Sequence, residues 1–167
     1  PSHPALLHAC ALCGLEGLLF LDLETLGLFG APIILFGLAR VEAGRVRVEQ
    51  YLVRDVAEEA AALAAVAAAV EAATALVTYN GRAFDVPYLE SRGAYYGLGL
   101  DFSLLHFDLL HFVRRAWRDT LPDCRLTSLE EHLLGCGREE DVPSALVPDF
   151  YTSYLHTGNP GPLVPIV

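Results

Sequence analysis

The sequence has no methionine, and its first residue is proline. It therefore reads as a piece of a longer chain. Charged residues are sparse, at 19%, against 53% hydrophobic residues, which excludes a disordered chain. Positive charge is scarcer still: 11 basic residues face 21 acidic ones, and the formal net charge is −10. That excludes a protein that grips duplex DNA mainly through a broad basic surface. It leaves open a nucleic-acid enzyme, because a carboxylate metal site is itself acidic. No apolar run is long enough to span a bilayer. The longest stretch of small apolar residues, 60–70, is alanine-rich and bounded by Glu58, Glu59 and Glu71. The N-terminus lacks the basic start of a secretory signal, so the expectation is a soluble cytoplasmic protein without a membrane partner. Internal repeats and low-complexity linkers are also missing. One domain of 167 residues can hold a real core.

Cysteine is limited to Cys10, Cys13, Cys124 and Cys136. Cys10 and Cys13 have the spacing of half a zinc knuckle, but Cys124 and Cys136 stand too far apart to form the other half. The expectation is reduced thiols. The competing reading is four thiolates converging on zinc or an iron–sulfur cluster, with the acids merely structural.

The most informative stretch is Gly17-Leu18-Leu19-Phe20-Leu21-Asp22-Leu23-Glu24-Thr25. It has the length and bulk of a buried strand and ends in two acids spaced i, i+2. On a strand these share a face. Like charges so placed need neutralising, and carboxylate oxygens suit Mg²⁺ or Mn²⁺. The plain alternative is a strand ending at Leu23 with both acids in a solvated loop.

Around it the periodicities predict a short helix at 5–12 within an ill-defined lead-in (1–16). Strands follow at 18–23, 33–41 and 45–53, the last two joined by a hairpin turn at Ala43-Gly44. Val46, Val48 and Tyr51 are expected to face inward. A helix at 56–73 is capped by Asp55 and turns Leu63, Val66 and Val70 to one side. A strand at 75–79, a helix at 86–96, a strand at 104–107 and a helix at 109–117 come next. The chain closes with helices at 128–134, capped by Thr127 or Ser128 with Glu130 or Glu131 behind, and at 149–156. A meander followed by alternating units implies an α/β fold. The sheet is mixed and five-stranded, antiparallel on one side and parallel on the other, with helices on both faces.

A second constellation is Thr78-Tyr79-Asn80-Gly81-Arg82-Ala83-Phe84-Asp85. In open α/β sheets ligands sit beyond the carboxyl ends of strands. Asp85 is therefore expected in one crevice with Asp22 and Glu24, unless it serves only as a helix cap. Asp108 reads mainly as the cap of the helix at 109–117, and His106 as structural. His111 and His132 read as packing or surface residues. Arg114, Arg115 and Arg118 could meet phosphates, but near a helix end they more commonly offset the dipole.

FLDLET followed by YNGRAFD resembles the first two motifs of the DEDD 3′–5′ exonucleases, which have the ribonuclease H-like three-layer fold. HFDLLHFVRRAW, LPDCRLTSLEEHLLG and REEDVPS bring it closer to the YprB-type branch. The likeness covers 17–167. It implies hydrolysis of phosphodiester bonds at the 3′ end of single-stranded DNA or RNA. Two divalent ions, Mg²⁺ or Mn²⁺, would sit about 3.5–4 Å apart. By the same resemblance Asp22 bridges both ions, and Glu24 and Asp85 each serve one. Thr25, Leu26, Asn80 and Phe84 would contact the terminal nucleotide, Phe84 by stacking. The family's fourth carboxylate belongs to a closing His-Asn…Asp motif absent from this sequence, and His156-Thr157-Gly158-Asn159 does not supply it. An inactive nucleic-acid-binding or scaffolding domain on the same fold is the alternative.

Overall fold

The computed structural model describes residues 11, 14–28, 30–137 and 142–166. The helix expected at 5–12 and the Cys10/Cys13 pair lie outside them. β1 (Leu18–Thr25) occupies the centre of a five-stranded sheet. β2 (Ile33–Glu42) and β3 (Arg45–Leu52) form the antiparallel side. β4 (Ala75–Thr78) and β5 (Leu105–Asp108) form the parallel side, giving the order β3-β2-β1-β4-β5. The β2–β3 hairpin turns through Ala43 and Gly44, with φ of 50° and 74°, the left-handed pair that a tight two-residue hairpin requires.

Alternation along β1 decides which side chains go where. Leu19, Leu21 and Leu23 are buried with Phe36 and Leu38 of β2. They meet Leu63, Val66 and Val70 of α1 (Glu59–Glu71) and Leu89 of α2 (Asp85–Tyr95). Burying each such side chain contributes about 1.5–3 kcal/mol. On the opposite face Ile34 packs with Val147 and Tyr151 of α5 (Val147–Thr157) and with Leu163. Helices thus cover both faces. Between Glu24 and Thr25 the register slips: Glu24 pairs with Leu35 but Thr25 with Ile33. This bulge lets Ile33 join the α1/α2 core while Ile34 joins the α5 core, and it bends β1 where its acids lie.

α3 (Leu109–Trp117) follows β5 without a break and is capped by Asp108, whose carboxylate accepts from Leu110 N–H at 3.1 Å. Asp55 caps as expected, but it caps a 3-10 turn, Val56–Glu58, that precedes α1. Two expectations fail. Val46 and Val48 are 72% and 64% exposed. They pair with Val41 and Ala39 on the face opposite α1 and α2, at the sheet's edge, while Tyr51, of opposite parity, packs against the main core. The helix expected from 128 begins earlier: α4 (Leu126–Leu129) runs into a π-helical turn, Glu130–Leu134, stopped by left-handed Gly135. Neither Thr127 nor Ser128 caps it. The helix has no side-chain cap; Asp123 braces the turn before it, accepting from Arg125 N–H at 2.9 Å and from the Ser128 hydroxyl at 2.6 Å.

Candidate active site

β4 stops at Thr78 while β1 continues to Thr25, so the last residues of β1 project past β4 into a cleft of about 480 Å³. Asp22, Glu24 and Thr25 line one wall; Tyr79, Asn80, Phe84 and Asp85 line another. The crevice expected from strand order therefore holds all three acids. Asp22 is exposed, Glu24 half-buried, and Asp85 only 4% exposed. Burial, with the Asp22 charge adding to it, pushes the Asp85 carboxyl up to about 7. Hydrogen bonds from its own amide and from the Leu23 backbone act against the rise. Among the described residues no three His, Cys, Asp or Glu side chains are gathered closely enough to hold an ion as placed.

The segment delivering Phe84 and Asp85 is built from Asn80 and Gly81. Asn80 takes φ of 67°, a conformation asparagine tolerates better than most residues. A Cβ on Gly81 would come within 2.5 Å of the Thr78 side chain, so the turn closes only over a residue without one. Asp108, 4% exposed, then fastens the turn. Its Oδ1 accepts from Asn80 N–H at 2.8 Å and its Oδ2 from Arg82 N–H at 3.1 Å, besides capping α3. One carboxylate thus ties the β4–α2 turn to the start of α3. Phe84 precedes α2 as its N-cap, and Asp85 is the first helical residue rather than the cap.

The opposite rim, between β1 and β2, is held from α2. The Tyr88 hydroxyl lies 2.9 Å from Gly27 O and 2.8 Å from Ala31 O. Arg92 donates to Gly30 O at 2.7 Å and forms a two-pronged ion pair with fully buried Glu59. Glu59 also accepts from Ile33 N–H at 2.9 Å and from the Tyr96 hydroxyl at 2.9 Å. The pair is thus satisfied on every side, as a buried charge must be.

Of the residues expected to touch substrate, Thr25, Asn80 and Phe84 line the cleft; Leu26 does not, and packs instead against the Ile34–Tyr151 core. Arg125, Thr127 and Ser144 also line it, and none of the three was expected in the site. Arg125 donates to Asp123 at 2.8 Å, which holds that acid's carboxyl well below the usual carboxylate range. The arginine follows a Pro-Asp turn, a local signal that carries no hint of which distant wall it will face. His106 sits against the Thr78 hydroxyl at 2.8 Å, and burial followed by the Arg82 charge holds its ring below the ordinary histidine value. Cys124 is half-buried and Cys136 exposed, both free thiols.

A five-stranded mixed sheet with two acids among the last residues of its central strand, where it outruns β4, agrees with comparison to known proteins. The RNase_H_2 family model, of the RNase_H superfamily, matches residues 19–167. The chain belongs to the RNase H superfamily. It is 38% identical over 152 residues to the uncharacterized protein YprB of Bacillus subtilis (strain 168). That match covers 87% of this chain and 36% of YprB, so the chain spans about a third of its relative's length. In fold it resembles the family B DNA polymerase from the hyperthermophilic archaeon Pyrobaculum calidifontis, with a TM-score of 0.69 at 15% identity. The likeness covers 89% of this chain and 22% of the polymerase. Among the described residues no helix is long and apolar enough to cross a membrane.

Proposed function

We propose that this chain is the nuclease domain of a metal-dependent 3′–5′ exonuclease acting on single-stranded DNA or RNA. Asp22, Glu24 and Asp85 would be its metal ligands. The observation that supports this best is the buried Asp85 carboxyl, raised to about 7 beside Asp22 in the cleft that Glu24 also lines. The donor set fits Mg²⁺ or Mn²⁺, which take carboxylate oxygens. Bound there, the ions would supply an activated water and stabilise the leaving 3′-oxygen.

The chain's own residues do the rest. Asp85 loses its proton as ligand, which the Leu23 amide favours. Asp108 keeps the Asn80–Phe84 segment in register with β1. Phe84, held at 5.3 Å from Tyr88, offers a ring face for a terminal base. Thr25 and Asn80 line the space for its sugar, and Leu26 anchors the turn beside them by packing on the Ile34 core.

The test uses 3′- and 5′-labelled single-stranded DNA and RNA with Mn²⁺, Mg²⁺ or EDTA. Metal-dependent shortening from the 3′ end is expected. Asp22→Asn should lower the rate by on the order of 100-fold or more; an unchanged rate would remove the assignment. The absence of a preformed three-residue ion cage among the described residues favours one second reading, a binding or scaffolding domain. Binding of the same oligonucleotides without any metal-dependent cleavage would select it.

A further inference from the structure

Positive charge is scarce in this molecule, and about half of the arginines are paired with acids. All eleven basic residues are arginines. Arg40, Arg47, Arg54, Arg92 and Arg125 each pair with an acid. Arg45, at the start of β3, forms no ion pair among the described residues, and neither do Arg82, Arg114, Arg115 and Arg118; the last four, all exposed, lie on or beside α3.

Their arrangement is not scattered. On α3, His111, Arg114, Arg115 and Arg118 stand at i, i+3, i+4 and i+7, which places them on one helix face. All are exposed, and the helix buries Leu110 and Val113 on its other side. The stripe runs about 10 Å along the helix. Its first turn adjoins the cleft, because Asp108, which caps the helix, also accepts from the N–H of Asn80, a residue that lines the cleft. Arg82 flanks the same end: its guanidinium donates to His106 O at 3.3 Å, on the strand that runs directly into α3. Dipole compensation accounts for cations in the last turn. It accounts neither for His111 in the first turn nor for Arg82. Like charges at i, i+4, such as Arg114 and Arg118, repel and offset part of the dipole gain, and a polyanion lying along the stripe would relieve the repulsion.

We propose that the His111–Arg114–Arg115–Arg118 face of α3, with Arg82, is the track that holds the sugar–phosphate backbone of a single-stranded nucleic acid leading into the cleft. This rests on the nuclease reading above. Arginine suits the role because its planar fork recognises phosphate through paired hydrogen bonds.

The test is binding of fluorescently labelled oligo-dT and oligo-U to the full chain in EDTA, followed by anisotropy across KCl from about 50 to 200 mM. The triple substitution Arg114→Gln, Arg115→Gln, Arg118→Gln should weaken binding on the order of tenfold or more at the low-salt end. It should also flatten the log–log salt slope by about 2, the counterion release of three phosphate contacts to a single strand. Arg45→Gln, Arg47→Gln, Arg54→Gln removes the same charge from exposed positions elsewhere and should leave both quantities near wild type. Equal behaviour of the two triple variants overturns the track. Displacement of the oligonucleotide by poly-glutamate at equal charge overturns it in favour of an acidic protein partner. Unchanged binding alongside Asp22-dependent cleavage removes the track alone. A binding difference without any cleavage removes the nuclease reading and leaves a nucleic-acid surface.

Discussion

Asp108 shows how one side chain can set a site it does not enter. Three backbone N–H groups, from Asn80, Arg82 and Leu110, converge on its two oxygens. Asp108→Asn keeps the shape but turns one acceptor into a donor facing N–H groups. The expected loss is about 1–3 kcal/mol, read as a shift in the urea midpoint, with cleavage falling further than stability explains because Asp85 follows the loosened turn. Asp108→Ala should be worse on both counts; full activity in either variant would separate the turn from the site. Gly81→Ala is the backbone counterpart. Its Cβ would overlap Thr78, which cannot move without breaking its contact with His106. Destabilisation by about 1–3 kcal/mol is expected in thermal unfolding, and Thr78→Ser in the same chain should recover little of it, because the closest atoms, Thr78 Cβ and Oγ1, remain. The helix-capping role of Asp108 was legible in the sequence, since Asp before an apolar helix is a local signal. Its hold on Asn80 and Arg82 was not, because those partners lie more than twenty-five residues away and meet it only when β4 and β5 pair.

At the scale of elements, α2 is the hub that joins the two rims of the cleft. Its first residue is Asp85, and its later turns carry Tyr88 and Arg92, which reach the β1–β2 connection. The Arg92–Glu59 pair also ties α2 to α1 and to the first residue of β2. Glu59→Gln leaves a buried guanidinium without its counter-charge and should destabilise by about 3–5 kcal/mol. Replacing both partners with methionine should recover much of that loss, and double-mutant denaturation curves measure the difference. The elements themselves were largely readable, because period-2 and period-3.6 patterns are written along the chain. What alternation could not say is which face of β3 has a helix over it. Val46 and Val48 were therefore expected inside and lie outside, while Asp22 and Glu24, on the same alternation, were placed correctly on one face. Glu59 gave no signal either, since a charged residue opening an alanine-rich helix usually faces water and here has 0% exposure.

For the whole molecule the acidic cleft sets a balance between folding, pH and metal. The Asp85 carboxyl titrates near 7 in the folded state against 3.8 for an ordinary aspartate. Between those values the folded chain holds a proton that the unfolded chain has released. Unfolding free energy therefore falls as pH rises from about 4 to 7 and levels off above, by a total on the order of 4 kcal/mol. Asp85→Asn removes the titration while keeping the shape. It should unfold at a higher urea concentration than wild type at about pH 8, and the gap should close towards pH 4, where the native carboxyl is neutral as well. A divalent cation acts in the opposite sense on the wild type, because it binds the ionised form and only the folded chain assembles the ligands. Mn²⁺ should therefore raise the wild-type melting temperature more at pH 8 than at pH 6, and at pH 6 its binding should release a proton that calorimetry in two buffers detects. Asp85→Asn should show little of either effect. A Mn²⁺ response equal in the two proteins would mean that the ion sits elsewhere. Loss of the pH gap without loss of the Mn²⁺ response would make Asp85 a buried structural acid, with Asp22 and Glu24 carrying the metal alone.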